Sequence, residues 1–314
     1  MSQYDLDPLD FSGLKTIPLK ERGGKVRVEH FARPYEKGGL AAWLDSLPRL
    51  LAADGFRSVI DAIEAARASG KPILWGLGGH VIKCGLAPIL ADLMGRGFAT
   101  AFAMNGAAAI HDFEIAIAGA TSEDVDAVLP DGRFGVAEET GRDFNAAIVE
   151  GDRDSLGMGE ALGRWLGAEP RPASLLAAAY RHRTPVTVHV AIGADTPHTH
   201  PAADPAAIGR ATHRDLRLFC RLVSQLDSGG VYINVGSAVV LPEVFLKAVS
   251  VVRNLGHRLE NFTTVNMDFL QHYRPRVNVI ERPHTRSGGR GIAITGHHEL
   301  MLPLLAAVLV ERQS

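Results

Sequence analysis

Two strand-to-loop-to-helix passages follow one another directly, Ile73–Ala91 (ILWGLGGHVIKCGLAPILA) and Ala99–Ala120 (ATAFAMNGAAAIHDFEIAIAGA), and they constrain the chain more than any other feature. Each opens on an apolar run too short for a buried helix, passes a glycine-bearing loop and ends in a helical pattern. Loops of this kind at the carboxyl ends of parallel strands are where doubly wound sheets bind nucleotides, because bare backbone can approach a phosphate and present its N–H groups. The spacing is not that of the usual fingerprints. Gly76-Leu77-Gly78-Gly79 departs from G-x-G-x-x-G, and no G-K-[ST] follows. Spacing alone leaves a nucleotide and another ligand of an α/β enzyme both open.

The alternation continues along the chain. Residues Met1–Gly38 are mixed, with Gly23-Gly24 and Pro34 as breakers, and read as an arm with a short hairpin. Helical patterns cover Leu40–Ala53, Ser58–Ser69, Leu86–Gly95, Ala107–Ala118, Val136–Val149, Ser155–Leu166, Ser174–Tyr180, Ala206–Leu226, Val240–Asn254 and His297–Leu309. Another helix is expected to start at Thr121-Ser122-Glu123-Asp124, where the capping signal is good. Strand patterns lie at Pro72–Trp75, Thr100–Met104, Val186–Ile192, Gly230–Asn234, Asn261–Met267, around Val279, and at Gly291–Thr295. Such alternation predicts a doubly wound, mostly parallel α/β sheet with helices on both faces. No linker or repeat divides residues 39–314, so a single α/β domain is expected to follow the 1–38 arm.

At 314 residues the chain is ample for a large core. A net charge of −2 implies neither nucleic acid nor an anionic membrane as partner. Two distant cysteines, Cys84 and Cys220, fit a reducing compartment. The acidic start MSQYDLDPLDF lacks signal-peptide order, and no apolar run approaches the ~20 residues of a spanning helix. A cytoplasmic location is expected.

Polar residues gather where strands are expected to end: His80, Asn105, Asp195, His198, His200, Asn234, Ser237, His297, His298 and Glu299. In a parallel sheet those ends share one edge, so the residues can converge. Asp195, His198 and His200 invite a zinc reading, since H-x-H in extended chain turns both rings to one side. A metal-dependent hydrolase is one alternative; a polar loop or substrate contact is the other, and no H-E-x-x-H supports the metal. His111, Asp112 and Glu114 open a helix, where acids suit the dipole or hold ribose hydroxyls. Glu243 sits four residues before Lys247, the spacing of an exposed ion pair.

The runs NGAAAIHDFEIAIAGATSEDVD and GGHVIKCGL, the glycine loop after GGVYIN and the closing GHHELMLPLLAAVL together resemble deoxyhypusine synthase and its relatives, from about Pro72 to Val310. The resemblance implies a doubly wound fold with NAD at the strand ends and a homotetramer with sites between paired subunits. That family oxidises spermidine with NAD and transfers an aminobutyl group to a protein lysine. By position, the resemblance places Gly78, Gly79 and His80, Asn105 and Gly106, His111 and Asp112, Gly236 and Ser237, and His297 beside the cofactor. Glu114 and Asp195 complete that set. The chain departs from the family where the imine-forming lysine should fall, near Val277-Asn278-Val279, and where a Lys-His pair becomes Glu243-Val244. Without that amine the same covalent imine cannot form. The His111-Asp112-Phe113-Glu114 run is also similar to the His-Asp-Ile-Glu run of archaeal ornithine cyclodeaminase, another user of NAD.

The combined expectation is an NAD-dependent transferase or lyase acting on a small, polyamine- or amino-acid-like amine through transient oxidation to an imine, and not deoxyhypusine synthesis. His198 and His200 are the expected proton carriers, with imidazole pKa near ~6.5, and Glu243 the expected holder of an ammonium. No metal is expected. A non-catalytic nucleotide-binding protein remains a further alternative.

Overall fold

The strands read almost continuously apolar because both faces of their sheet are covered. They are β1 (Ile73–Leu77), β2 (Ala101–Asn105), β3 (Val186–His189), β4 (Val231–Val235), β5 (Thr263–Asp268) and β6 (Arg290–Thr295). Every residue of β1, β3, β4 and β5 is buried, whereas the edge strand β6 buries only Ile294. A computed structural model describes residues 3, 6–167, 171 and 173–313. All strand pairs are parallel, in the order β3-β2-β1-β4-β5-β6. The expected doubly wound α/β sheet is present.

Helices fill the crossovers. Helices α1 (Gly39–Ser46) and α2 (Leu51–Ala68) precede β1, and α3 (Gly79–Lys83) and α4 (Ala87–Gly95) join it to β2. Between β2 and β3 run α5 (Gly106–Ala118), α6 (Val125–Val128), α7 (Glu138–Arg153), α8 (Met158–Leu166) and α9 (Leu175–His182). Then come α10 (Pro205–Ser224), α11 (Val240–Asn254), the single turn α12 (Tyr273–Pro275) and α13 (His298–Glu311). Helix α2 shows why they dock: Phe56, Val59, Ile60, Ile63 and Ala66 form one buried stripe at helical spacing. Helix α10 starts where it does because the Asp204 carboxylate accepts from the Ala206 and Ala207 N–H groups (2.8 and 3.1 Å), with Pro205 first in the helix.

Four local expectations are corrected. The apolar run around Val279 is helical, with Arg276–Glu281 wound as a π-turn after Pro275. Its β-branched residues serve crossover packing: Thr264 Oγ1 on β5 donates to the Val279 carbonyl (2.5 Å), and bare Gly291 on β6 makes room for Ile280. The helix expected from Thr121 spans only Val125–Val128, because Asp124, not Thr121, supplies the cap to Ala127 N–H. Strand β3 ends at His189, and Thr196–Thr199 is a 3-10 turn begun by Pro197. In place of a hairpin in the arm, the described residues before Gly38 hold one 3-10 turn, Val28–His30, and bury no side chain. Among the described residues no helix is long and apolar enough to cross a membrane.

One buried acid ties the far edge together. Asp215 on α10 accepts from Gly159 N–H at the start of α8 (2.9 Å) and from Val188 N–H on β3 (2.7 Å). Burial raises its carboxyl to about 7, against backbone hydrogen bonds from Val188, Gly159 and Met158 that lower it. A raised folded pKa means that the folded chain holds a proton which the unfolded chain has released, so this contribution is lost as pH climbs from ~4 to ~7. Buried His189 and His284, both pushed down to about 4 by burial, act in the opposite sense. The test is therefore differential. The stability gap between wild type and Asp215→Asn is expected to shrink by roughly 2.6 kcal/mol between about pH 5 and about pH 8, read from urea melts. A gap independent of pH refutes it.

Candidate active site

The strand order reverses its direction of growth between β1 and β4, and the loops after these strands lie backbone to backbone. Gly78 N–H donates to the Val235 carbonyl (2.9 Å), and a Cβ on Gly78 would stand 2.0 Å from the Gly236 carbonyl oxygen. Gly236 itself has φ +67°, and a Cβ there would stand 2.9 Å from the His298 ring, so its absence leaves that ring room. Next door, Asn105 caps α5 by accepting from Ala108 N–H (2.9 Å). Bare Gly106 lets the Asp195 carboxylate sit against that helix start, where the dipole favours it. Glycines thus hold three loops in contact at one edge of the sheet.

On one side of this crevice lies a histidine cluster. His80 Nδ1 is 2.9 Å from His298 Nδ1, and His298 Nε2 faces Asp268 Oδ1 at 3.5 Å. His298 and Asp268 are buried, while His80 is exposed. The Phe269 ring covers both imidazoles, with centroids 5.7 Å from each, and stacks on His297. Cys84 Sγ flanks the His80 ring at 3.5 Å from Nδ1 and 3.7 Å from Nε2, and Glu299 lies beyond it. Burial and the Glu299 carboxylate push the Cys84 thiol up, so it stays protonated at neutral pH.

On the other side a cavity of about 220 Å³ is lined by Lys83, His111, Glu114, Asp195 and Thr196 among others. His111 Nδ1 meets the Thr121 hydroxyl (2.7 Å), and that hydroxyl donates to Glu114. Thr140 Oγ1 donates to the other Glu114 oxygen (3.1 Å). Burial pushes the Glu114 carboxyl up, but these hydrogen bonds outweigh it and hold the group below its ordinary range. Glu114 is therefore an anion. It also lines an adjoining cleft of about 520 Å³ with Glu123, Glu139 and Asp143, a setting suited to a cationic group.

Several sequence-predicted site residues have other occupations. Asp112 is fully buried and does not face the crevice. Its carboxylate accepts from Ser174 Oγ (2.6 Å), Leu175 N–H (2.7 Å) and Leu176 N–H (3.0 Å), capping α9. Ser237 Oγ accepts from Leu241 N–H (3.2 Å) at the start of α11. Glu243 is held by Lys247, by Arg274 (3.2 Å) and by Asn278 Nδ2 (2.9 Å), which leaves little of its charge for a ligand. Asn278, where the resemblance put a lysine, in turn accepts from Arg282 (2.7 Å). Because the 3-10 turn replaces extended chain, His198 and His200 are not set as an H-x-H pair. His200 is turned on to α7, its Nε2 3.4 Å from Glu138 and its ring over Gly141. Among the described residues neither ring nitrogen of His198 has a hydrogen-bond partner, and burial pushes its pKa down against the pull of Asp195. Gly78, Gly79, His80, Asn105, Gly106, His111, Glu114, Asp195, Gly236 and His297 all border the crevice or its two flanks. Asp268 and Phe269 escaped the sequence reading, although Asp268 directly ends the TTVNMD strand.

No family model matches the chain, and no curated protein matches it by sequence. Solved structures do. A LOR/SDH protein from Methanococcus maripaludis S2 matches at a TM-score of 0.53 and 17% identity, over 90% of this chain and 72% of that one. The arginine dihydrolase ArgZ of the cyanobacterial ornithine-ammonia cycle matches at 0.50 and 17%, over 82% of this chain. AgrE in ternary complex with ornithine and NAD+ matches at 0.50 and 16%, over the same share of this chain. The chain spans only 31% and 33% of those two proteins. The likeness is one of fold: the chain shares its doubly wound α/β architecture with these proteins.

Proposed function

We propose that the chain binds NAD across the β1/β4 crevice and acts on a small cationic amine, through transient oxidation at the carbon that bears the nitrogen. The observation that carries this reading is the strand order β3-β2-β1-β4-β5-β6, the order in which dinucleotides bind where it reverses. Support comes from the Gly78–Gly236 approach, which opens bare backbone to a phosphate. Gly78, Gly79, Asn105, Gly106 and Gly236 would hold the cofactor. When bound, NAD supplies the hydride acceptor. The chain's own groups bind and orient the amine: anionic Glu114 and the acidic cleft draw the ammonium, and the imidazoles of the edge move protons. Elimination or transfer at the imine follows without a protein lysine, since Asn278 and its partners occupy the expected position.

That the fold recurs in a protein solved with ornithine and NAD+ fits this reading. Assembly with a second copy fits as well, because Ile192, Val239, Leu270, Tyr273 and Leu300 are exposed apolar residues around the same edge. The metal-hydrolase alternative needs Asp195, His198 and His200 on one ion, and His200 is engaged with Glu138 instead.

Calorimetry with NAD, on protein freed of co-purified nucleotide, is expected to give saturable heat, and a hundredfold excess over Kd should add about 2.7 kcal/mol of stability. Adding L-ornithine as probe should then change the nicotinamide absorbance or tighten NAD binding. No heat and no thermal shift at millimolar NAD would overturn the proposal.

A further inference from the structure

We infer that Asp268, His298 and His80 form a proton relay whose outer end, Nε2 of His80, is the general base of this site. The identity of the proton rests on the amine reading above; the relay itself rests on geometry. Two imidazole nitrogens 2.9 Å apart must share one proton, so of His80 Nδ1 and His298 Nδ1 one donates and the other accepts. The inner end decides which. His298 is fully buried, and burial keeps it below the ordinary histidine range in spite of Asp268, so it is neutral and carries a single N–H. Among the described residues its Nε2 has no hydrogen-bond partner, and it faces the Asp268 carboxylate at 3.5 Å, an acceptor aimed by the Phe269 N–H donating to Oδ1 (2.8 Å).

A carboxylate beside Nε2 favours the proton on that nitrogen. Nδ1 of His298 is then a lone pair, which obliges His80 to donate from Nδ1. The consequence appears at the outer end: Nε2 of exposed His80 is left unprotonated, and among the described residues its hydrogen-bonding neighbour is the Cys84 sulfur (3.7 Å). A thiol is too weak a donor to reverse an imidazole–imidazole bond. The step is a proton transfer alone, in which an N–H bond of a substrate ammonium breaks and a His80 Nε2–H bond forms. No electron changes hands, and the resulting imidazolium is stabilised through His298 by Asp268. Phe269 lies against both rings. His80 is thus a catalytic residue, and His298 and Asp268 are positioning residues.

Nitrogen-15 spectra of the labelled protein at mildly alkaline pH, with His80 assigned from a His80→Gln variant, read the tautomer directly. The wild type is expected to show a pyridine-like Nε2 and a pyrrole-like Nδ1 at His80. In Asp268→Asn the Phe269 N–H keeps Oδ1 as its acceptor, so a neutral carbonyl replaces the charge that faces His298 Nε2, the bias weakens and the share of His80 protonated at Nε2 rises. Diethyl pyrocarbonate should then acylate His80 up to about twofold more slowly than in the wild type, the change when a one-sided tautomer becomes evenly shared. A packing role alone would leave the His80 tautomer unchanged. A pyrrole-like Nε2 in the wild type, or an unaltered tautomer and acylation rate in a folded Asp268→Asn, overturns the relay. If that variant does not fold, the wild-type spectrum decides alone. Neither readout uses NAD or amine, so failed NAD binding alongside the expected tautomers refutes the proposed function and leaves the relay standing.

Discussion

Alanine at Gly78 is expected to cost roughly 3 kcal/mol or more and to abolish NAD binding, because the new methyl group has nowhere to go. Its position lies 2.0 Å from the Gly236 carbonyl oxygen and 2.9 Å from Ser237 N, and both neighbours are backbone. Gly78 itself is extended, with φ −88°, so the effect is one of space and not of backbone conformation. To admit the methyl the β1 and β4 loops must separate, which opens the crevice and displaces the His298 ring packed against Gly236. The control is Gly95, exposed at the end of α4, where a Cβ would have nothing within 4 Å among the described residues. Alanine there should stabilise by up to about 1 kcal/mol through helix propensity. Urea melts and calorimetry of the pair give the answer, and a stable Gly78→Ala protein with unchanged NAD affinity contradicts the proposed crevice.

Asp112→Ala should be destabilising by on the order of 4 kcal/mol, since it strands two buried backbone N–H groups and a buried hydroxyl. Leu175 and Leu176 are completely buried, so water cannot replace the lost acceptor. Helix α9 loses its tether to α5, and with it goes the placement of His111 and Glu114 on the same helix. Had Asp112 held ribose hydroxyls, as its sequence setting suggested, the variant would lose NAD affinity while keeping its melting temperature. Comparing the midpoint of unfolding with NAD affinity separates the two accounts.

The residues that the sequence located well are those whose role depends on backbone. Gly78, Asn105, Gly106 and Gly236 stand at strand ends, and strand ends are legible from short apolar runs followed by turn residues. Asp112, Ser237 and Glu243 misled because a side chain's partners can come from anywhere in the fold. Asp112 meets α9 some sixty residues later, and Glu243 meets Arg274 and Asn278 across a crossover. His198 and His200 misled for a local reason: the pairing of rings assumed extended chain, and Pro197 starts a 3-10 turn.

By itself the sequence determined that this chain alternates strands with helices, buries both faces of a parallel sheet and places glycine loops at one edge. Those properties follow from hydrophobic periodicity and from the small set of turns that glycine permits, both of which are local. The order β3-β2-β1-β4-β5-β6, the contact between the first and fourth strand loops and the Asp268–His298–His80 line were decided only by tertiary structure. His80 and His298 are separated by more than two hundred residues of chain, and no periodicity reports a distance across that span. Packing of the sheet brings them to 2.9 Å, and at that distance a single shared proton turns two ordinary histidines into a directed pair.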